Sequence, residues 1–242
     1  MPHDTFDYYN SIEGSLRHQM KKSHFDGIAE IYDETIPSHV ALHYLERRRN
    51  LLEPLLGDGP VLDVGAGTGT IASLFAKKVS IIGVDFSFEM LRRAKPSIRR
   101  THASGAALPF RSETFTLVYS VAMLHHLFDP DATVRVIKEM WRVTAHGGTI
   151  VIWDHNPLNP YWPFLMARVP QDDEPTRLVP LTEICEILRS CGANPIYNRW
   201  GWVPDFCPQW FLKTASCMEQ CLERIPGLRK FSAHNVVTAR KA

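Results

Sequence analysis

Two carboxylates and three glycines are the residues of this chain whose spacing points most directly to chemistry. Asp63 stands two residues before the run Gly65-Ala66-Gly67-Thr68-Gly69, and Asp85 lies twenty residues beyond Gly65. Glycines so spaced allow a tight strand-to-helix turn in which a ligand touches the backbone. Dinucleotide sites use the same turn, so it decides little alone. Asp63, however, would repel a pyrophosphate at the helix N-terminus and attract a cationic amino group. Asp85 is placed to accept both hydroxyls of a ribose, a feature shared with NAD sites. The pair together suits a nucleoside bearing an ammonium group instead of phosphates. Thr70, in the place of the last glycine of GxGxxG, also weighs against NAD.

A second group of chemically able residues is His125, His126, Asp154 and His155, candidate general bases near the carboxyl edge of a sheet. Imidazole suits that work because its pKa is ordinarily about 6.5. His125 and His126 are consecutive, so their side chains are expected to diverge and to chelate one metal poorly; no metal is expected. A structural role stays open for each, as does a plain turn contact for Asp63.

The elements that must position these groups alternate. Val61–Val64 and Ser80–Val84 read as buried strands, and Arg99–Ala103, Phe115–Ser120 and Thr149–Trp153 as a weak third, a strong fourth and a fifth strand. Helical stretches lie between them, over Thr70–Lys77, Phe86–Ala94 and a segment capped by Asp129-Pro130 that runs to Val143 and ends at Gly147-Gly148. This alternation implies an α/β, doubly wound parallel sheet. Residues 1–56 look helical and amphipathic: Tyr9, Ile12, Leu16 and Met20 share one spacing, and Ile28, Ile31 and Tyr32 another. Arg47-Arg48-Arg49 reads as a solvated helix face, with a phosphate site as the alternative. Downstream, Leu181–Cys191 and Gln209–Leu222 read as helices, and Pro195–Val203 and Asn235–Arg240 as strands. His155–Pro180, rich in proline and aromatics, is too long for an ordinary connection and reads as a lid or substrate wall.

Composition narrows the class. The chain has 242 residues with 27 basic and 26 acidic side chains and a formal charge of +1, which disfavours binding nucleic acid through bulk charge. Hydrophobic residues make up 45%, an ordinary share that excludes disorder. No apolar run approaches the roughly 20 residues of a membrane span, and the polar N-terminus does not read as a secretory signal. Five cysteines without CxxC pairs fit small core residues in a reducing cytoplasm. One domain is expected: a helical cap over 1–56, a cofactor core over 57–154, and a lid insert with the last strands over 155–242.

The string Asp63-Val-Gly-Ala-Gly-Thr-Gly69 resembles the first motif of class I S-adenosylmethionine-dependent methyltransferases of the type 11, UbiE-like group. Further motifs follow in family order: Gly83-Val-Asp-Phe-Ser87, Ala107-Leu-Pro-Phe110, Phe115–Ser120, Leu124-His-His-Leu127 and Glu139-Met-Trp-Arg-Val143. Phe25-Asp-Gly-Ile-Ala-Glu-Ile-Tyr-Asp33 is similar to the N-terminal helix, so the likeness covers roughly 24–154. It implies a Rossmann-like seven-stranded sheet, mostly parallel with an antiparallel last strand. It also implies S-adenosyl-L-methionine as cofactor and S-adenosyl-L-homocysteine as product. By the same likeness, Asp63 with Gly65, Ala66 and Gly67 holds the methionine moiety, Asp85 the ribose, and Phe86 and Met90 the adenine. Family spacing puts Ser104, beside Gly105, where an acid often meets the adenine amino group; Thr116 is a second departure, where Phe-Asp is common. Ser120 falls at the cofactor end of the fourth strand, and Tyr32 faces the sulfonium. Packing roles remain open for Phe86 and Tyr32.

The expected reaction is direct methyl displacement onto a small, partly hydrophobic molecule, by a monomer or homodimer. The alternatives are a methyltransferase acting on protein or RNA, and a non-catalytic nucleotide-binding module. Asn159-Pro160-Tyr161 is similar to the Asn-Pro-Pro-Tyr motif of base-methylating enzymes, but it follows the fifth strand and has one proline, so it reads as lid loop. The aromatics Trp153, Tyr161, Trp162, Phe164, Trp200, Trp202, Phe206, Trp210 and Phe211 read as core or as an acceptor enclosure. Deleting 156–170 is expected to abolish turnover with little change in cofactor affinity.

Overall fold

The computed structural model describes residues 24–162 and 176–242. Tyr9, Ile12, Leu16, Met20 and Phe164, and half of the proposed lid, lie outside the described residues. Seven strands form one sheet: β1 (Val61–Val64), β2 (Ile81–Asp85), β3 (Arg99–His102), β4 (Phe115–Val121), β5 (Thr144–His155), β6 (Ile196–Trp200) and β7 (His234–Arg240). Their order is β3-β2-β1-β4-β5-β7-β6. The pairs from β3 to β5 are parallel, and β7 runs antiparallel to both neighbours. The order reverses between β1 and β4, so their carboxyl ends open the crevice where α/β sheets take ligands.

Helices cover both faces. Strands buried on two sides must be apolar throughout, which is why β1 reads Val-Leu-Asp-Val and why its one acid is conspicuous. On one face, α4 (Pro130–Val143) lays Val136, Ile137, Met140 and Val143 against the sheet beside Ile184 and Leu188 of α5 (Leu181–Ser190). Asp129 caps α4 by accepting from the Asp131 amide at 2.9 Å, with proline in the first turn. On the other face, Leu52 of α1 (Ser38–Leu52) and Ala72 of α2 (Thr70–Ser73) pack with Phe75, Leu117 and Tyr119. Each such side chain contributes about 1.5–3 kcal/mol by leaving water. α3 (Phe88–Arg93) follows β2, and α6 (Leu212–Arg224) and α7 (Pro226–Arg229) precede β7.

Three expectations need correction. Gly147-Gly148 does not end a helix: α4 stops at Val143, and the pair sits inside the long strand β5. A Cβ on Gly148 would lie within 3.0 Å of the Ala145, Phe115 and Thr116 carbonyl oxygens, at the register shift between β4 and β5, so only glycine fits. The helix expected over Thr70–Lys77 keeps its α form only to Ser73 and then tightens into turns.

The arginine run is not a solvated face. Arg47 pairs with Glu219 and Glu223 of α6, Arg48 turns inward, and only Arg49 is well exposed, between Glu46 and Glu53. The sequence could not show that α6 would cover this side of α1. The cysteines divide as well: Cys185 and Cys207 are buried, whereas Cys217 and Cys221 are exposed on α6. Among the aromatics Trp153 is core, while Phe206 and Trp210 are exposed.

Candidate active site

The glycine turn delivers what its spacing promised. Gly65, Gly67 and Gly69 all have positive φ, at 79°, 53° and 68°. A Cβ at Gly65 would collide with Met123, but one at Gly67 would meet nothing within 4 Å, so the backbone there borders open space. The Gly67 amide donates to Asp85 Oδ2 and the Ser87 amide to Oδ1, both at 2.8 Å. The carboxylate at the tip of β2 thus holds the turn after β1. Burial pushes the Asp85 carboxyl up, against the lowering pull of these amides. Ser87 caps α3 and donates its hydroxyl to Asp26 at 2.6 Å, which ties the helical segment 24–28 to the site.

Two cavities open beside the turn. The first, about 530 Å³, is bordered by Asp85, Phe86 and Met90 on one side and Ser104 and Gly105 on the other. Phe25 meets Phe86 edge-on at 5.8 Å, and the Ser104 hydroxyl accepts from the Ala106 amide at 3.2 Å. The second, about 640 Å³, is bordered by Asp63, Ala66, Arg48, the three histidines 125, 126 and 155, and Trp162. The two share Tyr32, Gly65, Gly67, Ala122 and His126 as a neck. Ala122 holds a left-handed backbone there, φ 53°, a strain that sites tend to retain. Ser120 borders neither cavity; it is buried within β4, and its Oγ meets no hydrogen-bond partner among the described residues.

Asp63 is 3% exposed and accepts the Tyr119 hydroxyl at 3.0 Å. Burial above all, with some repulsion from Asp85, raises its pKa to about 7 despite that hydrogen bond. Such a carboxyl lacks a cationic partner and gains from one. The chemistry of this lining is compatible with an amino-acid-bearing nucleoside: acceptor oxygens at Asp85, an apolar wall of Phe86 and Met90, and a buried carboxyl at Asp63.

The histidines do not diverge as expected. They lie on a short 3₁₀ turn, Leu124–His126, and their ring centroids are 3.9 Å apart. His125 Nδ1 lies 2.8 Å from Asp154 Oδ1, so it carries the proton and leaves Nε2 as the basic nitrogen. Asp154 also accepts from the Met123, Leu124 and His155 amides, and its pKa falls below the usual range although burial alone would raise it. His155 is stacked between His125 at 4.1 Å and Trp162 at 3.8 Å. Burial, with neighbouring His125 and His234, holds it well below the ordinary histidine pKa, hence neutral. His126 meets Phe25 edge-on at 4.8 Å, at the neck. The ligand atoms of His125, Asp154 and His155 lie within 4.8 Å of one another, but both Asp154 oxygens are already engaged by N–H groups. Asp154 thus fixes the His125 ring through its Nδ1.

Tyr119 and Arg48 escaped the sequence reading. Tyr119 could have been found from strand pairing, since it is the direct β4 partner of Asp63 in β1. Nothing in the triplet of arginines marked its middle member as inward-facing.

A family model described as a methyltransferase domain matches residues 62–152. A phosphatidylethanolamine N-methyltransferase of Cereibacter sphaeroides is 34% identical over 118 residues, 45% of this chain and 57% of that protein. A demethylmenaquinone methyltransferase of Renibacterium salmoninarum is 30% identical over 164 residues, 60% of this chain and 68% of the relative. The chain thus spans little more than half the length of the first. A human protein named as probable tRNA methyltransferase 9B is 28% identical over 56% of this chain and 30% of its own. Among solved structures, a Thermotoga maritima S-adenosylmethionine-dependent methyltransferase, titled a possible histamine N-methyltransferase, shares the fold. It has TM-score 0.68 and 16% identity, covering 92% of this chain and all of that one.

Proposed function

We propose that this chain, which belongs to the class I S-adenosylmethionine-dependent methyltransferases, methylates a small, partly hydrophobic molecule held in the second cavity. The observation that carries this reading is the pair of cavities meeting at the Gly65–Gly67 turn, with Asp85 on the first and Asp63 on the second. S-Adenosylmethionine, when bound, supplies a methyl group on a positively charged sulfur. In this reading Asp85 takes the ribose, while Phe86, Met90, Ser104 and Gly105 take the adenine. Asp63 with the Gly65, Ala66 and Gly67 backbone takes the methionine end. Tyr32 and His126 line the neck through which the two cavities communicate.

The chain's own part would be to hold the acceptor in the second cavity in line with the cofactor's methyl group at the neck. Orientation within an enclosed site supplies much of the rate, roughly 7–11 kcal/mol in favourable cases. Where the acceptor must lose a proton, His125 Nε2 accepts it, with Asp154 fixing the ring and stabilising the resulting charge. A cavity walled by Tyr44, Trp162 and Trp202 suits a compact, partly apolar acceptor. No helix among the described residues is long and apolar enough to cross a membrane. The free cysteines suit a reducing cytoplasm.

The test is calorimetric titration with S-adenosylhomocysteine and NADH, then a labelled-methyl screen of small molecules, bulk RNA and protein. Binding of the first ligand and labelling confined to small molecules is the expected result. Labelling of RNA or protein alone would overturn the small-acceptor reading.

A further inference from the structure

We propose that Arg48 is the anion-receiving residue of the second cavity and that the methyl acceptor carries a carboxylate on a largely apolar body. This rests on the second cavity being the acceptor's, and adds the acceptor's charge and the residue that reads it.

Arg48 is the one member of its triplet without a carboxylate partner among the described residues: Arg47 has Glu219 and Glu223, and Arg49 has Glu46 and Glu53. Its guanidinium borders the cavity and lies over the Trp153 ring, 5.8 Å from the centroid. Its Nε is buried and meets no acceptor. A guanidinium keeps its charge when desolvated, and a buried charge without a counter-ion is costly. Burial does pull its pKa down, with no carboxylate opposing the shift.

The acids of the same wall are engaged elsewhere. Asp33 accepts from the Thr68 hydroxyl, Asp205 from Tyr161, and Asp63 from Tyr119. His155 and His234 beside Arg48 are held neutral, chiefly by burial, with Arg48 adding to the effect. Arg48 is therefore the fixed positive charge at its end of the cavity, and the walls around it are Tyr44, Trp162 and Trp202. An apolar molecule with one anionic end complements both features.

The cofactor's methionine carboxylate is the other anion this cavity would admit. In this reading its neighbouring ammonium is taken by Asp63, whereas the Arg48 guanidinium lies over the Trp153 ring of β5.

The experiment saturates the protein with S-adenosylhomocysteine and titrates benzoate, phenylacetate and 3-phenylpropionate against their amides. Fluorescence of Trp162 and Trp202, which line the cavity, reads binding. At least one acid is expected to bind about tenfold or more tightly than its amide, the usual scale for a charge-assisted hydrogen bond. Arg48→Gln should erase that preference while homocysteine-product affinity stays within about twofold, and Arg48→Lys should keep part of it. Acids and amides binding equally to the parent protein would overturn the proposal and leave the small-acceptor reading standing. Product binding with no response to any acid or amide would overturn both. An Arg48→Gln protein that keeps the acid preference but loses the product would show that the anion is the cofactor's, and would also overturn it. If Arg48→Gln does not fold by circular dichroism, the acid–amide comparison on the parent and on Arg48→Lys decides.

Discussion

Tyr119 donates a hydrogen bond from its hydroxyl to Asp63 across 3.0 Å, from the β4 position directly paired with Asp63 in β1. The contact gives a buried carboxylate one donor, too few to offset its burial, and leaves a site that titrates at about 7. An arriving ammonium group supplies what is missing.

Cofactor affinity should therefore depend on pH. Below about 7 the free protein keeps a proton on Asp63, and an ammonium-bearing ligand must expel it. Affinity for S-adenosylhomocysteine should rise by up to tenfold per pH unit toward pH 7 and level off above it. Calorimetry in buffers of different ionisation heat should detect a released proton at pH 6 and none at pH 8.5. Tyr119→Phe should move the plateau to higher pH.

Asp63→Asn should separate stability from binding. A folded-state pKa raised from 3.8 to about 7 means the carboxyl favours folding while protonated, and that contribution is lost as pH rises through 7. The amide has no charge to desolvate, so melting at pH 8 should occur at higher temperature than in the parent. Affinity for S-adenosylhomocysteine should fall by at least about tenfold, one charge-assisted contact.

Asp85→Ala removes the proposed ribose partner and the acceptor for two backbone amides, Gly67 and Ser87. The loss should be about 1.5–3 kcal/mol in binding, or roughly 10- to 150-fold. Asp85→Asn should bind better than the alanine variant, because its carbonyl oxygen still accepts one hydrogen bond.

His125→Gln should lower kcat by about 10²–10⁴ for an acceptor that must be deprotonated, with cofactor affinity unchanged. For an acceptor already unprotonated the variant should be nearly as fast, so paired substrates distinguish base catalysis from packing.

Glu219→Ala should damage the scaffold rather than the chemistry. Its side chain is 0% exposed and holds His43, Arg47 and the Trp202 and Val203 amides. Although burial opposes ionisation, these partners, His43 first, bring its pKa to about 2. That stability is present above about 4.5 and lost as pH falls through 2. Leaving Arg47 buried and short of a partner should cost about 3–5 kcal/mol by denaturant titration.

The half of the site built from contiguous chain was legible in the sequence. Apolar runs stopped by glycine, the Asp129-Pro130 cap and the acids ending β1 and β2 are local signals, and a buried parallel strand has few other ways to be written. Arg48, the stacking of His125 and His155, and the Tyr119–Asp63 contact depend on which strands pair and which helix covers which. No short-range pattern carries that. Gly148 misled because glycine ends a helix and fits a crowded strand shift for the same reason, the missing Cβ. Residues 163–175, within the stretch 155–180 expected to form a lid, lie outside the described residues.

The two cavities are assembled from different stretches of polypeptide. Apart from Phe25 and Tyr32, the first is walled by residues 64–136, whereas the second adds α1 and the segments around 159–162, 201–205 and 233–234. Mutational drift in those outlying stretches can reshape what is methylated and leave the nucleoside cradle untouched. One ancestral scaffold can in this way diversify its chemistry by changing its extremities, without reinventing its centre.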